Sequence, residues 1–341
     1  MRLSDEFFRL LRIALIPGVS AEADLSLIAS LDEDGWRRIA ACAKEQSITG
    51  MLGYSFESLP ENTRIPDDVL YYLLSEQEIT ARAGRKKLAV SKAVKEYFEV
   101  KGLHPLIMKG PTTAAFYPEP LMRSYGDIDL YFPGDEFKDA RSLASDKTEI
   151  EDAGDGSFHF KWEDVDVDVH SRYFDLHRPD KDLPAVPSPE ATVLMLSAHA
   201  MKHACGAGIG IRQICDVAMA CKALEDKLDA KRLDEALWKA GMAKWQTLLS
   251  SFIINRLGIK TPLPEGKTIP DTHLLKVVEE GGNFGHHAAG RSKAYGKSEA
   301  GRKLDTVKRF LKRLPFSLKY APGETLRTVA SLTVGNFKKN V

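Results

Sequence analysis

The sequence predicts an α+β protein in which a short strand-bearing segment lies between two helical regions. Three observations carry this reading. Apolar residues recur at three- and four-residue steps up to about residue 100 and again after about residue 187. Over residues 103–173 the pattern changes to short apolar runs with a period of two. A loop rich in proline (Pro179, Pro184, Pro187, Pro189) separates the strands from the second helical stretch. The expected division is an N-terminal helical region at 1–84, a core at 85–178 and a C-terminal helical domain at 187–341.

In the first region Leu10, Leu11, Ile13 and Ala14 set one helical stripe, and Val69, Leu70, Leu73 and Leu74 set another, punctuated by Gly18, Pro60 and Pro66. A last helix is expected near residues 86–100, closing at Gly102, the residue type that tolerates a left-handed helix end. Strands follow at 105–108, 127–132, 158–162 and 165–170, the last two joined as a hairpin through Glu163-Asp164. Ser188-Pro189-Glu190 then offers an N-cap, a proline for the first helical position and an acid for the first turn. Trp238 and Trp245 read as core. The glycine-rich run from Gly281 to Gly285 reads as a loop. Leu304, Val307, Leu311 and Leu314 form an apolar stripe opposite Lys303, Lys308, Arg309, Lys312 and Arg313.

Composition narrows the function classes. The 341 residues carry 48 Lys+Arg against 48 Asp+Glu, so no global field draws the chain onto nucleic acid or an anionic membrane. Four cysteines, Cys42, Cys205, Cys215 and Cys221, are too few and too uneven for a disulfide framework, and a cytoplasmic setting is expected. The apolar stretch at 7–16 is interrupted by Arg9 and Arg12, which suits an amphipathic helix rather than a secretory signal. No run approaches the roughly 18 apolar residues of a transmembrane segment.

The most specific chemistry lies in Asp127-Ile128-Asp129 and Asp166-Val167-Asp168-Val169-His170. On a strand, Asp127 and Asp129 share one face about 6.6 Å apart, with Ile128, Leu130 and Phe132 opposite. Asp166, Asp168 and His170 share a face in the same way, with Val165, Val167 and Val169 behind them. Crowded carboxylates raise one another's pKa and cost free energy unless a cation or abundant water compensates. Neighbouring strands would bring Asp127, Asp129 and Asp168 together around Mg²⁺ or Mn²⁺, hard ions that take carboxylate oxygens and share phosphate. Asp166 competes with Asp168 as the third ligand, and a solvated acidic sheet face is the plainer alternative.

Upstream, Ile107-Met108-Lys109-Gly110-Pro111-Thr112 runs from a strand through a glycine turn into an expected helix. Gly110 admits a close approach, the helix start offers N–H groups to an anion, and Lys109 adds a full charge. Arg123 stands four residues before Asp127, placed to clamp a phosphate or to pair with an acid. His199 and His203 lie one helical turn apart, with Arg212 and Asp216 downstream; neither the His nor the Cys spacing suits a closed zinc site.

Met108-Lys109-Gly110, the run from Arg123 to Leu130, Val167-Asp168-Val169-His170, His199-Ala200-Met201-Lys202-His203, Gly210-Ile211-Arg212-Gln213-Ile214-Cys215-Asp216 and the Gly-Gly-Asn-Phe-Gly loop at 281–285 together resemble the DNA polymerase beta-like nucleotidyltransferase superfamily. Within it they resemble the bacterial "uncharacterised nucleotidyltransferase" family, over about residues 85–290. The resemblance implies a small mixed sheet flanked by helices, with Asp127 and Asp129 as metal ligands and Asp168 as a third ligand that helps deprotonate the acceptor. From the residues themselves an NTP is expected on Lys109, Gly110, Thr112 and Arg123, with His170, His203 and Arg212 as candidate substrate contacts. The acceptor stays open: a small molecule, a glycan, tRNA or protein. The superfamily's Gly-Ser turn is Lys109-Gly110 here, so Lys109 or the threonines must take over the phosphate contact.

Overall fold

The computed structural model describes residues 2–18, 22–153, 156–177, 182–206, 208–262, 269–282 and 299–338. The chain falls into two compact units. One comprises Met1–Phe8, Glu45–Ser47 and Phe174–Val341, the other Arg9–Lys44 and Ile48–Tyr173. No helix among the described residues is long and apolar enough to cross a membrane.

The unit ending at Tyr173 holds the sheet. Its helices are α1 (Asp5–Leu15, from Arg9 onward), α2 (Glu22–Ala29), α3 (Glu33–Gln46), α4 (Thr49–Tyr54), α5 (Asp67–Glu99), α6 (Pro111–Ala114) and α7 (Glu136–Lys147). The strands are β1 (Leu106–Ile107), β2 (Ile128–Tyr131), β3 (Ile150–Asp152), β4 (Phe158–Trp162) and β5 (Val165–His170). They run in the order β1-β2-β5-β4-β3, and only β2 and β5 pair in parallel. The architecture is therefore the expected α+β, one mixed sheet flanked by helices.

Period-two alternation sorts the strand side chains. Ile128 and Leu130 of β2, Phe158 and Phe160 of β4, and Val165, Val167 and Val169 of β5 share one face, where they join Val90, Val94 and Phe98 of α5 and Ala140 and Ala144 of α7 in a core. Burial of each of the larger side chains contributes about 2 kcal/mol. The same alternation leaves Asp129, His159, Asp168 and His170 for the opposite face.

Several elements differ from expectation. The helix expected to begin near residue 86 begins at Asp67 and runs unbroken for 33 residues. Gly84 does not interrupt it; a Cβ there would meet the Leu121 side chain at 3.4 Å, so the glycine sits against a packed neighbour. The helix closes as expected, with Gly102 at φ +82° and Leu103 N–H donating to the Phe98 carbonyl at 3.1 Å. Strand β3 is an addition: Ile-Glu-Asp has one apolar residue, and its only sheet neighbour is β4, which leaves little periodic signal.

In the other unit are α8 (Pro189–Cys205), α9 (Ile211–Ala223), α10 (Ala230–Lys239), α11 (Ala243–Phe252), α12 (Thr272–Gly281), α13 (Glu299–Tyr320) and α14 (Pro322–Lys338). The start of α8 is built as read: Ser188 Oγ accepts from Ala191 N–H at 3.0 Å and Pro189 opens the helix. Helix α9 is buried on every side from Ile211 to Cys221, the mark of a central helix. Trp245 is fully buried and its indole N–H donates to the Ser197 carbonyl at 3.1 Å.

Trp238 corrects the core reading, being 74% exposed: Leu233, Ala236 and Leu237 face inward, and the next residue turns about 100° away. Leu311 is exposed too, because the inward side of α13 runs through Arg313, Ser317 and Tyr320. The side chains of Lys303, Leu304, Val307 and Arg309, and residues 283–285 of the glycine-rich run, lie outside the described residues.

The β4–β5 hairpin turns on Glu163 and Asp164, with Trp162 facing Val165, and both turn residues have positive φ, 49° and 63°. That is the type I′ signature, which Asn-Gly satisfies at least cost. Replacing Glu163→Asn together with Asp164→Gly is expected to stabilise the protein by about 1 kcal/mol through relief of left-handed strain. Urea unfolding checks this; an unchanged or lower midpoint would contradict the turn geometry.

Candidate active site

The face opposite the core is assembled from three pieces of chain. The first is the turn after β1, tied to β2 by Met108 N–H donating to the Asp129 carbonyl at 2.9 Å. Gly110 has φ +70° and ψ −112°, and a Cβ there would lie 3.2 Å from Tyr125 Cδ2 and 3.3 Å from the Asp127 carbonyl oxygen. Only glycine suits both the torsion and the approach. The helix expected beyond the turn is the single turn α6, too short for a substantial dipole. Thr112 is exposed, and its hydroxyl donates back to Ile107 O (3.0 Å) and Lys109 O (3.2 Å).

The second piece approaches β2. Arg123 is 5% exposed and its guanidinium lies 5.9 Å from the Tyr125 ring centroid. Tyr125 is anchored to α5: its hydroxyl donates to Gly84 O at 3.2 Å, and Lys87 Nζ donates to its carbonyl and stands 5.3 Å from its ring centroid. Asp127, half-buried, ends this approach one residue before β2.

The third piece is the β4–β5 hairpin. The parallel register places Asp129 directly beside Asp168 and Ile128 beside Val167. One ligand atom each from Asp129, Asp168 and His170 lie within 4.8 Å of one another. Asp129 is buried, and its Oδ1 receives both Lys109 Nζ at 2.7 Å and His170 Nε2 at 2.8 Å. Burial opposes its ionisation, yet Lys109 and His170 outweigh that and hold the carboxyl well below the usual carboxylate range. Asp127 is shifted the other way, upward, first by burial and then by the charges of Asp129 and Asp168, with Lys109 opposing. Asp168 Oδ1 lies 2.6 Å from His159 Nδ1 on β4.

Asp166, the rival for the third position, is exposed on the same strand and pairs with Lys161 at 3.4 Å. Lys109, Gly110, Thr112, Arg123, Asp127, Asp129, Asp168 and His170 all belong to the unit with the sheet. His203 and Arg212 belong to the other, where the His203 ring packs edge-on to His199 at 4.5 Å and Arg212 is buried on α9. The reading of the sequence passed over His159. Its signal was present: a two-residue turn at 163–164 pairs residues whose numbers sum to 327, and 159 faces 168.

Two carboxylates and an imidazole within 4.8 Å, with a third carboxylate in their field, form a donor set suited to a hard divalent cation. The profile of the family described as "uncharacterised nucleotidyltransferase" matches residues 32–249, well over half of the chain. The chain belongs to that family. No curated protein and no solved structure matches it. As a nucleotidyltransferase it is a phosphorus-transferring enzyme, and the matched span contains every candidate residue from Lys109 to Arg212.

The two opposite shifts give opposite pH signatures in the nucleotidyltransferase stripped of divalent metal. A depressed carboxyl such as Asp129 contributes stability present above its unfolded value, about 3.9, and lost as pH falls through its folded value. A raised one such as Asp127 contributes stability below about 3.9 that is lost as pH rises through its folded value. In thermal unfolding with a chelator at pH 7, Asp127→Asn is expected to raise the midpoint. Asp129→Asn is expected to lower stability by about 3 kcal/mol, as for breaking a buried pair. Shifts of the same sign in both variants would contradict the electrostatics described.

Proposed function

We propose that this nucleotidyltransferase moves a nucleoside monophosphate from an NTP to a hydroxyl or phosphate group of an acceptor, with Mg²⁺ or Mn²⁺ as cofactor and pyrophosphate as the leaving product. The observation that carries the proposal is the β2–β5 register, which sets Asp129 beside Asp168 on the polar face of the sheet, next to the Lys109-Gly110 turn.

Asp127, Asp129 and Asp168 would hold the metal. When bound, it supplies positive charge for the triphosphate and for the oxygens that attack and leave. The remaining work falls to the chain. His170 orients Asp129 through Oδ1. Lys109 shares its charge between Asp129 and the phosphates, replacing the hydroxyl contact that Thr112 spends on its own turn. Gly110 keeps the backbone low enough for a triphosphate to lie over it. Arg123, held against Tyr125, positions the strand approach that carries Asp127. Asp168 accepts the acceptor's proton as the acceptor oxygen bonds to the α-phosphorus. The bond from the α-phosphorus to the bridging oxygen then breaks, and that oxygen leaves on pyrophosphate. Stabilisation of developing charge provides most of the rate.

Incubation with α-labelled NTPs, Mg²⁺ or Mn²⁺, and fractions supplying small molecules, glycans, tRNA or protein is expected to give label in an acceptor and free pyrophosphate. The doubly substituted Asp127→Asn, Asp129→Asn protein is expected to lose the transfer and to bind metal–NTP at least about 100-fold more weakly. Equal transfer or equal binding by both proteins rejects the proposal. One observation favours a second reading, a nucleotide binder without turnover: Lys109 already neutralises Asp129. NTP binding indifferent to divalent metal, with no pyrophosphate released, would decide for it.

A further inference from the structure

Strand β4 brings a residue to the site that the family motifs do not include. His159 stands opposite Asp168 in the antiparallel β4–β5 register, and its Nδ1 lies 2.6 Å from Asp168 Oδ1. We propose that His159 is a positioning residue for the transfer reaction: its Nδ1–H fixes the Asp168 carboxylate so that the second oxygen faces the Asp129 side of the site.

The argument rests on geometry. A carboxylate on a strand has a free χ2 rotation, and two acids side by side in register turn away from each other unless something holds them. Asp129 is held by Lys109 and His170, both on Oδ1. Asp168 has its contact on the other flank of β5, where His159 is its neighbour. The carboxylate accepts at 2.6 Å, so the ring nitrogen donates, and the engaged oxygen leaves Oδ2 for a cation or for an acceptor proton. The ring is set by the sheet: Phe158 and Phe160, on either side of it in sequence, are buried in the core, so His159 has to face the acids. The His159 side chain is 39% exposed, so its packing contributes little to the fold, and an orienting role is the one its contact serves. Partners of this kind set the direction and basicity of a ligand, and their loss weakens metal binding by about 10- to 100-fold.

This inference deepens the proposed function and rests on that reading. Its test uses three forms of the full-length enzyme: wild type, His159→Phe and His159→Asn. Phenylalanine keeps the ring and removes the donor, whereas asparagine places an N–H close to the position of Nδ1. The first readout is Mn²⁺ binding by calorimetry without nucleotide. We expect His159→Phe to bind about 10- to 100-fold more weakly and His159→Asn to recover most of the loss. The second readout is transfer from α-labelled NTP, where kcat should fall in the phenylalanine variant with KM for NTP nearly unchanged. The third is the unfolding midpoint, expected to be the same in the two variants, as for partly exposed sites. Wild type that binds Mn²⁺ and transfers label, beside a phenylalanine variant that does both equally well, overturns the role of His159 while sparing the proposed function. Wild type that neither binds Mn²⁺ nor transfers label overturns the proposed function itself. Equal losses in both variants would show that ring packing, not the hydrogen bond, is what matters, and would also overturn the positioning role.

Discussion

The parallel pairing of β2 with β5 performs two tasks in a single register. Ile128 beside Val167 and Leu130 beside Val169 close the core under the sheet, and the same alignment brings Asp129 to Asp168 above it. A slip of one residue would turn the valines to solvent and bury the acids against α5 and α7. The acids are therefore forced together by the packing beneath them. Two carboxylates within 4.8 Å repel by about 3 kcal/mol at an effective dielectric of 20, comparable with the burial of one or two core side chains. Five residues of these two strands, Ile128, Leu130, Val165, Val167 and Val169, take part in that core, so packing outweighs the repulsion.

Why much of this was legible follows from the period of a strand. Asp-Ile-Asp and Val-Asp-Val-Asp-Val-His state both faces at once, so the core residues and the acidic side could be assigned before any neighbour was known. The choice between Asp166 and Asp168 could not, since both share a face and only pairing separates them. The structure places Asp168 in the group with Asp129 and leaves Asp166 with Lys161. His170 was named as a substrate contact and stands bonded to Asp129, a link that needs the two strands side by side. His159 required one more step, the arithmetic of a two-residue turn whose own sequence, Glu-Asp, advertises the turn poorly.

Where legibility failed, local pattern had been overruled by context. The helix runs through Gly84 because one glycine costs a helix only about 1 kcal/mol, which the rest of a 33-residue helix outweighs. The strand-turn-helix after Lys109 has the residue types of an anion-binding helix start, but α6 stops after one turn and Thr112 spends its hydroxyl on Ile107 and Lys109. Trp238 reads as core in the sequence, whereas Leu233 and Leu237 fix the buried side of α10 and turn Trp238 outward. Strand β3 carries a single apolar residue, and an edge strand needs no more.

The Lys109–Asp129 contact ties the turn to the metal question. Lys109 pairs with Asp129, the buried carboxylate, and its charge also acts on Asp127. Burial, and then the charges of Asp129 and Asp168, leave the Asp127 carboxyl pushed upward despite Lys109. Under the proposed function, a divalent ion held by the three carboxylates would supply the charge that offsets the upward shift at Asp127. Lys109, whose ammonium lies 2.7 Å from Asp129 Oδ1, would then have charge to share with a phosphate. The Lys-Gly turn thus fits that proposal with one residue in two roles: Lys109 neutralises Asp129 and is the cation that the proposed phosphate contact would use.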